Sequence, residues 1–223
     1  MTSTELVDTL RSHANPANVA GMARYGIETG AALGVPVPVI RSLARQCGKN
    51  HALAGELWNS GIHEARILAT LVEELDRITP RQMDIWARQF DSWDVCDQAC
   101  HNLFRYTPYA WQKAAKWARA KPEFAKRAGF SLMAGLAVKD KAAADSEFEA
   151  LLPLIEEAAG DPRNMVKKAV NWALRQIGKR NSRLRRQAIA ASRRIRRQGT
   201  PSARWIAADA LRELSRIAPV APK

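Results

Sequence analysis

The chain has 223 residues, of which 47% are hydrophobic and 26% are charged, and its formal net charge is +13. These values are typical of a folded, soluble protein, and the length suffices for one large domain or one continuous array of helices. No stretch approaches the roughly 18 consecutive apolar residues of a membrane span, and the first residues lack the pattern of a secretory signal. We therefore expect a cytoplasmic protein.

The excess positive charge lies at the C-terminal end of the chain. Residues 1–160 contain 18 basic and 19 acidic side chains, whereas residues 161–223 contain 17 basic and 3 acidic ones. Less than a third of the chain therefore carries a net charge of +14, a pattern expected for a surface that contacts a polyanion. Nucleic acid is the first candidate ligand, and an anionic membrane surface is the second.

Hydrophobic residues recur with a helical period along almost the whole chain, and no run of alternating β-branched residues predicts a strand. Short connections that contain proline or glycine separate the predicted helices, and proline is well tolerated at the first helical position. The thirteen predicted helices cover residues 4–14, 16–28, 38–47, 51–59, 63–75, 80–90, 93–104, 108–119, 122–138, 145–159, 162–178, 182–197 and 203–217.

This succession of short helices with tight connections predicts an all-α protein. No strict sequence repeat is visible, but helix pairs of roughly 35 to 45 residues fit the HEAT and armadillo class of solenoid, an α-α superhelix. We expect a single HEAT-like repeat domain over residues 1–223. Its concave basic groove would collect side chains from several helices onto one extended ligand.

The seventh predicted helix begins with the sequence Ser92-Trp-Asp-Val-Cys-Asp97. Ser92 is a good N-cap residue, and Asp94 fits the first turn, where the helix dipole favours negative charge. Trp93 and Asp97 are four residues apart, so a helix places the indole and the carboxylate on one face. From the residues alone, an Asp97 paired with His101 and a tryptophan that anchors two repeats explain the pattern more simply than catalysis.

The eleventh predicted helix has two faces of different character. A stripe with the spacing of a buried face consists of Val166, Val170, Ala173 and Ile177. A second face with the same spacing consists of Lys168, Trp172, Arg175 and Lys179. This second face presents an aromatic ring between cations, which suits phosphates together with a sugar or a base. A core tryptophan beside solvated cations is the simpler alternative.

The twelfth predicted helix is rich in arginine and contains no acidic residue. Its arginines are Arg183, Arg185, Arg186, Arg193, Arg194, Arg196 and Arg197. Seven like charges on one helix repel one another unless an anion relieves the repulsion. A solvated, charge-rich helix is one explanation. We favour phosphate contact, which predicts binding that depends strongly on salt.

Motifs for other kinds of chemistry are weak. The candidate metal ligands are Cys96, Asp97, Cys100 and His101. Cys96 and Cys100 share one helix face, and Asp97 and His101 share an adjacent one. No further ligand pair completes a site, so we expect no metal. Buried cysteines that pack at a helix interface explain the pattern better. No glycine-rich phosphate loop occurs, and we expect no cofactor. His63 starts a helix with no evident partner, which does not support a histidine general base.

Several short motifs are similar to those of one known family and follow its order. They are Asn15-Pro16, Met22-Ala-Arg24-Tyr25, Leu33-Gly-Val-Pro-Val-Pro38 with Arg41, Ser92-Trp93-Asp94-x-x-Asp97, Trp117 with Arg127-Ala-Gly, and Lys168-Ala-x-x-Trp172-x-Leu-Arg175. Through them, most of the chain resembles the AlkD-like DNA alkylation repair glycosylases, which are built from HEAT-like repeats. Two features depart from the family pattern: Asn171 stands where glycine is usual, and residues 182–197 are unusually rich in arginine.

The resemblance implies hydrolysis of the N-glycosidic bond of positively charged N3- and N7-alkylated purines in duplex DNA, such as 3-methyladenine and 7-methylguanine, without base flipping. It implies Asp97 as the catalytic carboxylate and Trp93 and Trp172 as the aromatic residues beside the sugar of the lesion. The resemblance adds Tyr25 and Arg127 as DNA contacts. The basic faces of the eleventh and twelfth predicted helices provide further predicted DNA contacts: Lys168, Arg175, Lys179, Arg183 and Arg186.

We expect a monomer that acts on double-stranded DNA containing alkylated purines and needs no cofactor, no membrane and no obligate protein partner. The hypothesis requires Trp93, Asp97, Arg127 and Trp172 to converge on one concave face. Two alternatives stay open. One is a non-catalytic solenoid that binds bent or branched DNA, and the other is a protein-interaction scaffold, which the basic C-terminal segment disfavours.

Overall fold

A computed structural model of the chain describes residues 1–217, which form thirteen α-helices, one 3₁₀ helix and no strand. The helices are α1 (Ser3–Ser12), α2 (Pro16–Arg24), α3 (Val37–Cys47), α4 (His51–Asn59), α5 (His63–Val72), α6 (Pro80–Arg88), α7 (Trp93–Asn102), the 3₁₀ helix η1 (Phe104–Tyr106), α8 (Ala110–Ala118), α9 (Glu123–Lys139), α10 (Asp145–Ala158), α11 (Asn164–Lys179), α12 (Ser182–Arg197) and α13 (Pro201–Leu214). The all-α prediction is confirmed. Within residues 1–217, no helix combines the length and the apolar character needed to cross a membrane.

Most differences from the predicted helices lie at helix ends. α2 ends at Arg24, four residues early, because Gly26 adopts a φ of 70°, a left-handed conformation through which a helix does not continue. The predicted helix over residues 93–104 is divided into α7 and η1. α4 and α12 have the predicted bounds.

Side chains satisfy the backbone at several helix starts. Six residues that precede a helix accept hydrogen bonds from backbone N–H groups of its first turn: Thr2, Asn15, Asn50, Thr79, Asn181 and Thr200. α2, α3, α6 and α13 also have proline at their first or second position. Local sequence signals of this kind explain why most helix starts were predictable.

Helices α1 to α7 and η1 form one compact unit, residues 1–107. In this unit α5 contacts α3, α4 and α7. Its core contains a stacked pair of indoles, Trp58 and Trp86, whose ring centroids lie 4.0 Å apart, and Phe90 packs edge-on against Trp58. Aromatic contacts therefore contribute to the core of the first unit beside its many buried aliphatic side chains.

Helices α8 to α13 form a second compact unit that begins at Pro108. Here α10 contacts α8 and α12, while α11 contacts α9 and α13. Helices α8, α10 and α12 begin at Ala110, Asp145 and Ser182, and successive starts are 35 and 37 residues apart. This spacing agrees with the predicted length of a helix pair. The prediction of a single domain over residues 1–223 stays a prediction.

Gly129 of α9 lies against the backbone at the end of α8. A Cβ atom at this position would lie 2.4 Å from the backbone nitrogen of Ala118, so no other residue fits without movement of the helices. The flanking residues of α9 are buried nearly all round the helix. The glycine that follows Arg127 in the sequence motif therefore has a packing role.

Candidate functional site

α7 presents the pair of residues with the clearest sequence signature. Trp93 is the first residue of the helix and Asp97 follows one turn later, and both are half-buried. The indole Nε1 of Trp93 donates a hydrogen bond of 3.1 Å to the backbone carbonyl of Tyr25, whose side chain is largely exposed. The structure therefore brings Trp93, Asp97 and Tyr25 into one region of the first unit.

Ser92 occupies the N-cap of α7, as predicted, but its hydroxyl does not cap the backbone. Its Oγ donates a 2.6 Å hydrogen bond to the carboxylate of Asp94. That carboxylate accepts a hydrogen bond from the backbone N–H of Val95. The cap is thus supplied by the charged side chain of Asp94, which the positive end of the helix dipole also favours.

Asp94 also binds the buried imidazole of His63, with 2.8 Å between Oδ2 and Nε2. The prediction that His63 has no partner was wrong, because the partner comes from the neighbouring helix, α7, 31 residues later. Burial disfavours the charged imidazole, but the hydrogen bond and charge of Asp94 outweigh it and raise the pKa of His63. Burial likewise opposes the carboxylate, but the contacts with His63 lower the pKa of Asp94.

Two further carboxylates organise the surroundings of this pair. Glu64 is buried and accepts hydrogen bonds from the backbone N–H groups of residues 33, 34 and 35, which holds the segment before α3 against α5. Asp91 accepts a 2.7 Å hydrogen bond from Arg66, whose guanidinium lies over the ring of Trp58. The start of α7 is therefore tied to α5 by two charged pairs.

A cavity of about 410 Å³ opens beside these groups in the first unit. Its polar lining includes His63, Glu64 and Asp94, and its wider wall includes Tyr25 together with apolar side chains such as Met22. The cavity therefore lies next to the tyrosine that holds Trp93. It gives the region a concave, partly apolar surface with a carboxylate at its edge.

In the second unit, Arg127 is almost fully buried on α9. One of its terminal nitrogens donates a 2.7 Å hydrogen bond to the backbone carbonyl of Met165. This contact joins α9 to α11 and gives the guanidinium a structural role. A DNA contact through Arg127 stays a prediction.

The two predicted faces of α11 are present. The stripe of Val166, Val170, Ala173 and Ile177 is fully buried. On the other face Lys168 is exposed and Trp172 is half-buried. Arg175 and Lys179 both form ion pairs with Glu213 of α13.

Asn171, which departs from the family pattern, is buried. Its amide donates a 2.7 Å hydrogen bond to the carboxylate of Asp209 on α13. The carboxylate of Asp209 also lies 3.5 Å from the Nε of Arg175. Asn171 therefore belongs to the polar contact between α11 and α13, which explains a side chain at a position where glycine was expected.

The arginines of α12 have different partners, and Arg185 donates a hydrogen bond to the backbone carbonyl of Ile217. Arg183 and Arg194 form ion pairs with Glu149 and Glu156 of α10, with shortest distances of 2.8 Å and 2.7 Å. The expectation of uncompensated repulsion along α12 was wrong for these two residues, because the acids belong to the preceding repeat. Within residues 1–217, no acidic side chain pairs with Arg186, Arg193, Arg196 or Arg197.

The cysteines of α7 are packing residues. Cys96 and Cys100 are both fully inaccessible, as the packing interpretation predicted. In the described part of the chain, no group of three or more His, Cys, Asp and Glu side chains could hold a metal ion.

Comparisons with known proteins agree with this architecture. A family model described as "DNA alkylation repair enzyme" matches residues 6–214. One solved structure with a TM-score of 0.77 belongs to "a new family of proteins related to the HEAT-like repeat DNA glycosylases with affinity for branched DNA structures". It is 19% identical, and the match covers 87% of this chain and 83% of that chain, which confirms the HEAT-like repeat fold. A search of curated proteins finds no significant match.

Proposed function

The chain belongs to the DNA alkylation repair enzyme family, and on this premise we propose that it is a DNA glycosylase for cationic N3- and N7-alkylated purines in duplex DNA. The observation that carries the proposal is the pair Trp93 and Asp97 at the start of α7. The two side chains are one turn apart on one face, and neither is fully buried. A carboxylate beside a half-buried indole suits a reaction in which a sugar becomes positively charged.

In the proposed reaction, the N-glycosidic bond between C1′ of the sugar and N9 of the purine breaks, and the base leaves with the electron pair. A purine alkylated at N3 or N7 carries a formal positive charge, so it leaves as a neutral base and needs no general acid. Water then adds to C1′ and releases a proton, and an abasic site remains. Asp97 stabilises the oxocarbenium-like sugar and orients the water. The face of Trp93 adds attraction of about 1 kcal/mol for the developing charge.

His63 and Asp94 are proposed as positioning residues. Their buried pair fixes the start of α7, and Trp93 is the first residue of that helix. Groups that stabilise a transition state must be held within a fraction of an ångström, so support of this kind affects rate more than affinity.

The remaining predicted contacts keep the roles implied by the resemblance and the charge pattern. Trp172 is proposed as the second aromatic residue beside the sugar. The proposed DNA contacts are Tyr25, Arg127, Lys168, Arg175, Lys179, Arg183 and Arg186. We propose that the protein acts as a monomer, without a cofactor.

The test is release of N7-methylguanine and N3-methyladenine from alkylated duplex DNA under single-turnover conditions. We expect Asp97→Asn to slow release at least about a hundredfold while DNA affinity changes little. Asp76→Asn is the matched control, because Asp76 is an exposed carboxylate of the same unit. Equal rates for wild type and Asp97→Asn would exclude Asp97 as the catalytic carboxylate.

A second candidate function is non-catalytic binding of branched DNA. It is supported by the related structure with affinity for branched DNA, which matches 87% of the chain. Affinities for a four-way junction and for a duplex of equal length distinguish the two functions. No base release by the wild type, together with clear preference for the junction, would favour the second candidate.

A further inference from the structure

A second cavity of the first unit, with a volume of about 550 Å³, is strongly cationic. It lies between the last turns of α3, the turn after α3, the end of α7 and η1. Its polar lining consists of Arg41, Arg45, Lys49, His101, Asn102, Arg105 and Tyr106. Four of these side chains carry a permanent positive charge, and no carboxylate lines the cavity. We call it the α3–η1 pocket.

The composition of this unit makes such a cluster unexpected. Residues 1–107 contain 10 basic and 12 acidic side chains, so an acidic partner for every cation is available in principle. Arg66, for example, is paired with Asp91. Four cations gathered at one cavity without a carboxylate repel one another, and a bound anion would remove this repulsion.

Arg105 is held in a fixed orientation at the pocket. Its guanidinium lies 4.8 Å from the ring centroid of Tyr106 and donates hydrogen bonds to the Tyr106 hydroxyl and to Nδ1 of His101. Its Nε is buried and has no hydrogen-bond partner among the described residues. A buried N–H donor without a partner is unfavourable unless a ligand accepts from it.

The other cations approach the cavity from α3 and its C-terminal turn. Arg41 and Arg45 are four residues apart and therefore lie one above the other on α3. Lys49 donates to the carbonyl of Leu71, which places its ammonium at the cavity wall with two further donors available. Convergent guanidinium and ammonium groups are the donors that bind phosphate oxygens.

The α3–η1 pocket borders the face of α7 that carries Asp97. His101 lines the pocket and follows Asp97 by four residues, so the two lie on one face, about 6 Å apart along the helix axis. Successive nucleotides of one strand rise by about 3.4 Å. If the strand runs along the axis of α7, a sugar placed at Asp97 brings a phosphate of the same strand, within about two nucleotides, close to the pocket.

We propose that the α3–η1 pocket binds a backbone phosphodiester of DNA near the lesion nucleotide. The position of this phosphate relative to the lesion rests on the proposed function. The preference for a phosphate anion rests on the four cations that line the pocket without a carboxylate.

The first experiment compares two double variants with equal charge change. Arg45→Gln/Lys49→Gln removes two cations of the pocket, and Arg81→Gln/Arg88→Gln removes two exposed cations of α6. Binding of an undamaged duplex is measured over a range of salt concentrations. We expect the slope of log K against log salt to fall by about 0.9 in the pocket variant, as for one lost phosphate contact, and by less than half as much in the control. Equal changes in the two variants would overturn the inference.

The second experiment identifies the phosphate. A single neutral methylphosphonate is moved along a duplex that contains an uncharged abasic-site analogue. At one internal position within two nucleotides of the analogue, it should weaken binding by the wild type and have no further effect on the pocket variant. A pocket that responds only to a 5′-terminal phosphate, or that inorganic phosphate fills equally well, would overturn the phosphodiester assignment.

These outcomes separate the inference from the proposed function. In one outcome, the wild type releases no base while the pocket variant still shows a smaller salt slope than the control variant. This result would contradict the glycosylase and leave DNA binding by the pocket intact. Base release that depends on Asp97, with no difference between the two double variants, would contradict the pocket and leave the glycosylase intact.

Discussion

The cations of the two compact units differ in their surroundings. In the second unit, acids of neighbouring helices pair with Arg175, Lys179, Arg183 and Arg194. Four other arginines of α12 have no acidic partner among the described residues: Arg186, Arg193, Arg196 and Arg197. In the first unit, four cations line the α3–η1 pocket and no carboxylate joins them. The unit with more acidic than basic residues therefore contains a dense cluster of uncompensated positive charge. Segment net charge overstates how many cations a ligand can use, because intramolecular acids compete for them.

The repeat architecture explains this difference. The four ion pairs of Arg175, Lys179, Arg183 and Arg194 join residues 34 to 38 positions apart, close to the length of one helix pair. Each pair therefore links equivalent helices of successive repeats. The pocket cations instead come from α3 and its following turn and from η1, and the intervening helix α5 supplies no acid to the cavity.

The largest expected effect is on the buried pair of the first unit. Asp94→Ala should lower the free energy of unfolding by about 3–5 kcal/mol, because it leaves His63 buried without its partner. Urea denaturation measures the change, and Asp76→Ala is the exposed control. A loss below about 1 kcal/mol would show that the pair does not anchor α7.

The same pair predicts a dependence of stability on pH. The folded pKa of Asp94 is lowered, so its contribution is present above the unfolded pKa of about 3.9 and disappears as the pH falls through the folded value. The folded pKa of His63 is raised, so its contribution is complete below about pH 6.5 and disappears as the pH rises through the folded value. The stability difference between wild type and His63→Gln should therefore be greatest near pH 5 to 6. A difference independent of pH would contradict the assignment.

A smaller effect separates the paired from the unpaired arginines of α12. Arg186→Gln should reduce the slope of log K against log salt for duplex binding by about 0.9, the value for one lost phosphate contact. Arg183→Gln should reduce it by less than half as much, because Glu149 already compensates this charge. Fluorescence anisotropy titrations measure both. Equal reductions would mean that the ion pair opens when DNA binds.

The smallest effect is expected for stability when a repeat-to-repeat ion pair is removed. Glu156→Gln should change the free energy of unfolding by at most about 1 kcal/mol, since Arg194 is nearly half exposed and water screens the pair. Its DNA affinity should rise, because Arg194 becomes available to a phosphate. A loss of stability comparable with that of Asp94→Ala would contradict the distinction between the two units.

Much of the helical architecture could be predicted because its signals are local. Proline at helix starts, side-chain caps and the apolar stripe of α11 each depend on residues within a few turns of one another. The partner of His63 could not be predicted in this way, because Asp94 belongs to another helix. The pairing of Arg183 and Arg194 could not be predicted for the same reason, since Glu149 and Glu156 lie on α10.

The sequence by itself determined the all-α class, the length of the helix pairs, the joint position of Trp93 and Asp97 on α7, and the motifs of the family. These follow from the periodicity of the α-helix, which is a local property of the backbone. Only the tertiary structure decided that Asp94 binds His63, that Arg183 and Arg194 are compensated, and that four cations meet at the α3–η1 pocket. Such pairings and their pKa shifts depend on which side chains stacked helices bring together, and the periodicity of one helix carries no information about its neighbour.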